Sequence, residues 1–319
     1  MKLLVTGGLG FIGSNFIEFM LKNYDSIDIL NVDKCNYVAR EYNVSPNPRY
    51  RYVQGDITEV HHMTAILKDY VPDILVNFAA QTSVDESFIR SFDFTRDNVL
   101  GTHTLLEALR AYGKIQKFIH ISTDEVYGEV APQDISSESA HLNPSNPYSA
   151  SKAAAELYVQ AYGHSYDLPW IITRGNNVFG PKQYPEKVVP LFLTRLLNGE
   201  KCQIHGDGSA KRSFIYVDDV SRAIDRIIFK GEIKKIYNIG SSHEYSVLDI
   251  FYKIAGLSAP HLEPDDLKMG VKDRQFNDCR YCIDSSEIQK LGWSEDPDFD
   301  ACLQKTFEWY SLHRDWYRT

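Results

Sequence analysis

Runs of residues that are apolar almost throughout recur along the first half of the chain, at 2–6, 27–32, 50–53, 74–78, 117–121 and 170–173. Stretches able to hold helices lie between them, at 11–23, 60–70, 93–112 and 148–165. A strand with no polar face is buried on both sides, and strand–helix alternation builds a parallel sheet covered by helices. The pattern predicts an α/β fold around a doubly wound parallel sheet. After residue 175 the rhythm breaks. Gly180-Pro181, Pro185, Pro190, Gly206-Asp207-Gly208 and Pro260 punctuate shorter elements, with helices expected at 187–198, 218–229 and 300–310. A first domain over 1–175 and a smaller C-terminal α/β lobe over 176–319 are expected, with later strands returning to the first sheet. No repeat, low-complexity tract or long linker separates them, so one rigid unit around a cleft is expected.

Composition narrows the classes. The 319 residues carry 34 Lys and Arg against 43 Asp and Glu, a formal charge of −9. With 43% hydrophobic and 24% charged residues this is an ordinary globular chain rather than a disordered one. An acidic balance opposes non-specific nucleic-acid binding, which needs a basic surface, but leaves room for a nucleotide in a locally basic pocket. No apolar run approaches the roughly 18–20 residues that span a bilayer. The N-terminus enters a strand at once and then turns on glycines, so no signal peptide is expected. Five scattered cysteines suit a reducing compartment, and the cytoplasm is the expected location. Cys279 and Cys282 form the one close pair; without a second pair to complete a zinc site, no metal is expected.

The first strand runs into Thr6-Gly7-Gly8-Leu9-Gly10-Phe11-Ile12-Gly13 and opens a helix. Glycines there allow a tight turn, close backbone approach to a pyrophosphate, and helix–strand packing, while the helix N-terminus offers free N–H groups to the anion. Asp33 ends the second strand twenty residues after Gly13. An acid in that place accepts hydrogen bonds from both ribose hydroxyls and repels a 2′-phosphate, which favours NAD over NADP. Asp56, in Gly55-Asp56-Ile57, is positioned to reach the adenine amino group. The bland alternative for Asp33 is a solvated turn residue.

Tyr148 and Lys152 stand four apart at the start of a helix and so share a face. A lysine beside a tyrosine favours the phenolate and makes it a usable base. With the glycine-rich turn and Ser122-Thr123 at a strand end, this pair resembles the extended short-chain dehydrogenase/reductase superfamily acting on nucleotide-sugars, which has a Rossmann fold. Within it, Thr123-Asp124-Glu125 is similar to the nucleotide-diphosphate-glucose 4,6-dehydratases; sugar-nucleotide 4-epimerases lack the acidic pair.

The resemblance covers essentially the whole chain and implies roles. Oxidation at C4 of glucose acidifies the C5 proton, and the C6 hydroxyl leaves only when protonated. By similarity, Glu125 is the C5 base, Asp124 the C6 acid, Thr123 the ligand of the C4 oxygen, and Tyr148, supported by Lys152, the C4 base. The product is a 4-keto-6-deoxy sugar of the kind that leads to rhamnose, and NAD stays tightly bound because each turnover regenerates it. Cofactor contacts are implied at Gly7, Gly10, Phe11, Ile12, Gly13, Asp33, Lys34, Asp56, Ile57, Phe78, Ala79, Ala80, Thr82, Asn98, Tyr148, Lys152 and Asn177. Substrate contacts are implied at Thr82, Thr123, Asn176, Lys187, Val188, Gln203, His205, Arg212, Asn277 and Arg280. Arg212 and Arg280, from separate loops, suit a pyrophosphate, although sequence alone also allows two surface arginines. The family's equivalents of helices 93–112 and 148–165 form a four-helix dimer interface, so a homodimer is expected.

Arg174-Gly175-Asn176-Asn177, the His205-Gly206-Asp207-Gly208 turn and Leu291-Gly292-Trp293 look closer to the UDP-glucose dehydratase domain of plant-type rhamnose synthases than to bacterial dTDP-glucose enzymes. UDP-glucose is therefore the preferred substrate, with dTDP-glucose the alternative, since one methyl is worth roughly 1–3 kcal/mol in a fitted pocket. The competing readings are a UDP-sugar 4-epimerase, opposed by Asp124-Glu125, and a non-catalytic NAD or nucleotide-sugar sensor, which would not need elimination acids. The paired aromatics Trp309-Tyr310 and Trp316-Tyr317 are read as C-terminal packing.

Overall fold

A computed structural model of the protein describes residues 1–131, 133–272 and 280–317. Seven parallel strands make the main sheet: β1 (Lys2–Thr6), β2 (Asp28–Asp33), β3 (Tyr50–Gln54), β4 (Ile74–Asn77), β5 (Lys117–Thr123), β6 (Trp170–Gly175) and, after three strands that belong to smaller sheets, β10 (Lys235–Ile239). Their spatial order is β10-β6-β5-β4-β1-β2-β3. Strand order reverses beside β1, and a crevice opens at such a switch point beyond the carboxyl ends of the strands.

Alternation along each strand divides the core in two. Leu3 and Val5 of β1 point to the face covered by α1 (Phe11–Asn23) and α8 (Val217–Lys230), where Phe16, Ile17, Ile224 and Ile227 are sealed from solvent. Leu4, between them, joins Met63, Leu105 and Val159 on the other face. That face is built by α2 (Val60–Tyr70), α5 (Gly101–Tyr112) and α6 (Pro147–Tyr166), with the short α3 (Val84–Ile89) and α4 (Ser91–Phe94) packed beside α6. The single helix expected over 93–112 is interrupted. Between α4 and α5 the backbone widens into a π turn, Thr95–Leu100, which carries the buried Asp97 and Asn98.

The remaining strands form small sheets. β7 (Asn177–Phe179), β9 (Lys211–Tyr216) and β11 (Glu244–Ser246) make one, and β8 (Cys202–His205) and β12 (Lys268–Val271) another. They pack with α7 (Val188–Leu197), α9 (Val247–Ser258) and α11 (Phe299–Leu312) in a third core holding Phe192, Phe251, Tyr310 and Trp316, while α10 (Ser286–Gln289) lies against β10. The C-terminal aromatics are thus packing residues.

Several contacts cross from this lobe to the first. Lys182 Nζ donates to Glu18 Oε2 (2.6 Å) and to the Asn43 carbonyl (2.7 Å). Trp316 Nε1 donates to Asn43 Oδ1 at 2.8 Å, and the Asn43 amide donates to the Leu9 carbonyl at 2.9 Å. The C-terminal segment is in this way connected to the glycine-rich turn through one buried asparagine. Among the described residues no helix is long and apolar enough to cross a membrane.

Candidate active site

A cavity of about 330 Å³ lies beyond the carboxyl ends of β1, β2, β4, β5 and β6, within the usual size of a small-molecule site. One wall is the turn between β1 and α1. Gly7 has φ +74°, and a Cβ there would come within 2.5 Å of the Ala79 nitrogen; one on Gly13 would meet the Gly7 carbonyl oxygen at 2.6 Å. Both positions require glycine. No side chain caps α1, so its first turn, where Gly10, Phe11, Ile12 and Gly13 line the cavity, presents amides to an anion. The Gly8 amide donates to Asn31 Oδ1 and the Leu9 amide to Asp33 Oδ2, each at 2.9 Å, which fixes the turn against β2.

Asp33 sits at the far end of this wall and also accepts from the Cys35 amide at 2.8 Å. Burial pushes its carboxyl up, and the two backbone amides and Lys34 pull against that. Lys34, Asp56, Ile57 and Asp97 complete the end of the cavity, and Phe78, Ala79, Ala80 and Thr82 line it from β4 onward. The opposite side is a strap formed by Gln183, Tyr184, Glu186, Lys187 and Val188. Hydrogen bonds close the strap onto the first lobe, Tyr37 Oη donating to Glu186 Oε2 at 3.0 Å and Lys187 Nζ to the Thr82 carbonyl at 2.9 Å, and the Tyr37 and Tyr184 rings meet edge-on.

Thr123, Asp124, Glu125, Tyr148 and Lys152 meet at the inner end, with Asn176 and Asn177 alongside. β5 ends at Thr123 and the chain winds into a single 3-10 turn, Asp124–Tyr127, which places both carboxylates at the mouth of the sheet. Asn176 Oδ1 accepts from the Ser241 amide (2.9 Å), so its NH2 faces Asp124 and donates to Oδ2 at 2.6 Å. Burial first, then repulsion from Glu125, raises the Asp124 carboxyl to about 7. It is therefore a proton donor near neutrality. Glu125 accepts from Asn146 Nδ2 at 3.1 Å.

The tyrosine and lysine differ from the sequence reading. Lys152 Nζ donates to the Ile121 carbonyl at 2.7 Å, and burial brings its ammonium down to about 8. The Tyr148 phenol is bonded to Thr123 and is pushed upward, by burial first and then by Glu125. Burial, reinforced by Glu125, keeps the resting phenol neutral. Beneath the site, Arg174 and Glu156 form a fully buried ion pair (2.6 Å), the guanidinium lying 4.6 Å from the centre of the Tyr127 ring.

Other sequence candidates lie outside the cavity wall. Asn98 is buried behind it, where Oδ1 accepts from the Gln81 amide (2.7 Å) and Nδ2 donates to Ser151 Oγ (2.8 Å). It holds the wall rather than lining it. Gln203 and His205 lie on β8, at the small two-stranded sheet. Arg212 stands on β9 over the Tyr281 ring. Arg280 Nε donates to Glu244 Oε1 of β11 at 2.8 Å, which ties Arg280 to the small sheet whose β9 carries Arg212. Asn277 and Cys279 lie outside the described residues. Sequence reasoning missed Asn146, Asp97 and the strap residues Gln183 and Tyr184. Of these only Asn146 carried a local signal, as the cap before Pro147. Among the described residues no cluster of three His, Cys, Asp or Glu side chains could hold a metal ion.

The cavity suits a dinucleotide on structural grounds: two glycines whose Cβ space is taken, an uncapped helix start, and the buried Ser122 hydroxyl at its wall with no partner of its own. Comparison with known proteins agrees in kind. A family model described as GDP-mannose 4,6 dehydratase matches residues 4–306. A trifunctional UDP-glucose 4,6-dehydratase/UDP-4-keto-6-deoxy-D-glucose 3,5-epimerase/UDP-4-keto-L-rhamnose-reductase of Arabidopsis thaliana is 44% identical over 322 residues, covering 99% of this chain and 48% of that protein. The chain spans about half the length of that relative. The human dTDP-D-glucose 4,6-dehydratase is 42% identical over 315 residues, 97% of this chain and 89% of its own. A dTDP-glucose 4,6-dehydratase from Streptomyces venezuelae, solved with NAD bound, superimposes with a TM-score of 0.94 at 35% identity, covering 100% of this chain and 99% of its own.

Proposed function

The chain belongs to the GDP-mannose 4,6-dehydratase family, and we propose that it acts as an NAD-dependent nucleotide-diphosphate-glucose 4,6-dehydratase, with UDP-glucose preferred over dTDP-glucose. The observation that carries this reading is the carboxyl pair at the end of β5: Asp124 holds a proton near neutrality beside Glu125, both within one cavity with Thr123 and Tyr148. A 4-epimerase has no use for a neutral carboxylic acid next to a second carboxylate.

The glycine-rich turn, Asp33, Asp56 and the 78–82 wall would hold NAD, which when bound supplies the acceptor and later the donor of hydride. The chain's own residues do the rest. Thr123 positions the C4 hydroxyl, and the Tyr148 oxygen receives its proton. The resting phenol is neutral, so the C4 proton passes to the ionised fraction of Tyr148, which the hydrogen bond with Thr123 favours. Glu125 takes the C5 proton once C4 is a ketone. Asp124 gives its proton to the C6 hydroxyl, which departs as water. Lys187, Val188, Arg212 and Arg280 are assigned to the nucleotide diphosphate, and 176–319 is the lobe that carries most of these contacts.

The test is the mass of UDP-glucose and dTDP-glucose after separate incubation with the protein. Loss of one water from either supports a dehydratase, and the faster substrate settles the base. An isomerised sugar of unchanged mass would replace this reading with an epimerase.

We also propose a homodimer. Ile89 (77% exposed) and Phe92 (88% exposed) on α3 and α4 lie beside α6, which presents Leu157 and Tyr158 to solvent. Apolar groups so exposed on adjoining helices suit a helix-to-helix interface between two copies. Phe92→Asp should convert a dimer to a monomer in sedimentation-velocity experiments; a wild-type monomer at micromolar concentration would sink the proposal.

A further inference from the structure

Asp97 was not among the residues singled out by sequence, yet it lines the same cavity as Asp33 and bonds to Lys34, the residue after Asp33. It sits in the π turn, and insertions of this kind often mark functional positions. Its Oδ2 accepts from Lys34 Nζ at 2.5 Å and from Gln81 Nε2 at 2.7 Å, while Oδ1 accepts from Arg96 Nε at 2.9 Å. Asp56 reaches the same ammonium at 3.8 Å. Lys34 directly follows Asp33, the residue facing the adenosine ribose in the reading above. A cation in that place is the usual means by which a dinucleotide site accepts a 2′-phosphate, and this one is held by two carboxylates.

We propose that Asp97 is a cofactor-specificity residue, which excludes NADP by keeping the Lys34 ammonium bound to itself and away from the 2′ position. The inference rests on the dinucleotide reading of the cavity. Asp33 rejects the phosphate by direct repulsion, whereas Asp97 rejects it by removing the compensating charge. The two act on the same group from different sides, and each is buried enough for its charge to be felt.

The experiment is competitive loading. Wild-type holoenzyme and variants are incubated for long periods in an equimolar excess of NAD and NADP, desalted and denatured, and the released dinucleotides are measured by chromatography. Asp97→Asn keeps an acceptor for Gln81 but frees Lys34, and should raise the bound NADP:NAD ratio about tenfold, the scale of one partly buried charge pair. Lys34→Met alone should leave the wild-type ratio within about twofold, because the ammonium is already occupied. The double variant should return to the wild-type ratio. An unchanged ratio in Asp97→Asn, or a raised ratio that survives in the double variant, overturns the proposal. If Asp97→Asn does not fold, Lys34→Met still decides: a several-fold fall in bound NADP would mean that Lys34 already serves the phosphate. A wild-type protein that retains neither dinucleotide would instead refute the reading of the cavity itself.

Discussion

Asp124 shows how far single residues were legible. Thr123, Asp124, Glu125, Tyr148 and Lys152 were singled out from the Tyr148–Lys152 spacing and from a family resemblance, and the structure brings all five to one cavity. Their protonation states were not legible, because burial and neighbours set them. For Asp124 the folded carboxyl is raised from the ordinary 3.8 to about 7. Its contribution to stability is therefore full below the unfolded value and lost as pH rises from about 4 through about 7. Asp124→Asn removes that loss, and should raise the unfolding free energy by about 2 kcal/mol at pH 8 relative to wild type while leaving it nearly unchanged at pH 4; denaturant titrations at the two values decide it. The same variant should abolish water loss. Glu125→Gln should separate the steps differently: C4 oxidation persists, seen as reduced-nicotinamide absorbance on adding substrate, but no 4-keto-6-deoxy product accumulates. Normal product at an unchanged rate would remove Glu125 from the mechanism.

Elements were legible in proportion to the purity of their pattern. The first six strands and the helices α1, α2 and α6 lie within a residue or two of their expected limits. The π turn at Thr95–Leu100 was invisible, because one extra residue in a helical turn leaves the spacing of apolar residues nearly unaltered. Helix α9 was missed for another reason. Its segment, Val247–Ser258, carried a readable signal that was passed over: Ile250, Phe251, Ile254 and Ala255 fall on one face, and Ser246 and Asp249 form a reciprocal cap at its start. The start of α6 joins local structure to chemistry. Asn146 accepts from the Ser149 amide at 2.8 Å in a reciprocal cap, and its NH2 reaches Glu125. Asn146→Ala should cost about 1 kcal/mol in stability and, through loss of the contact to Glu125, lower kcat more than it raises KM. Equal effects on both would mean that the cap is only structural.

At the scale of the molecule, sequence indicated two lobes and strands returning between them, but not which strand returns. β10 adds to β6 along its whole length, pairing Lys235 with Ile171 through Ile239 with Gly175. It leaves the sequence of the second lobe to do so, and a non-local pairing of this kind has no signature in either segment alone. The pairing has a consequence for modularity. A piece comprising residues 1–175 would hold every strand of the sheet but the last, and β6 would end it as an open ribbon of Ile171 and Ile172, both sealed in the whole protein. Unsatisfied edges of that kind recruit other chains. Such a piece, expressed alone, should self-associate in light-scattering experiments, whereas appending residues 235–239 through a flexible tether should return it to a discrete species. The lobes are accordingly not interchangeable cartridges: a graft that exchanged the second for another would have to bring its own closing strand.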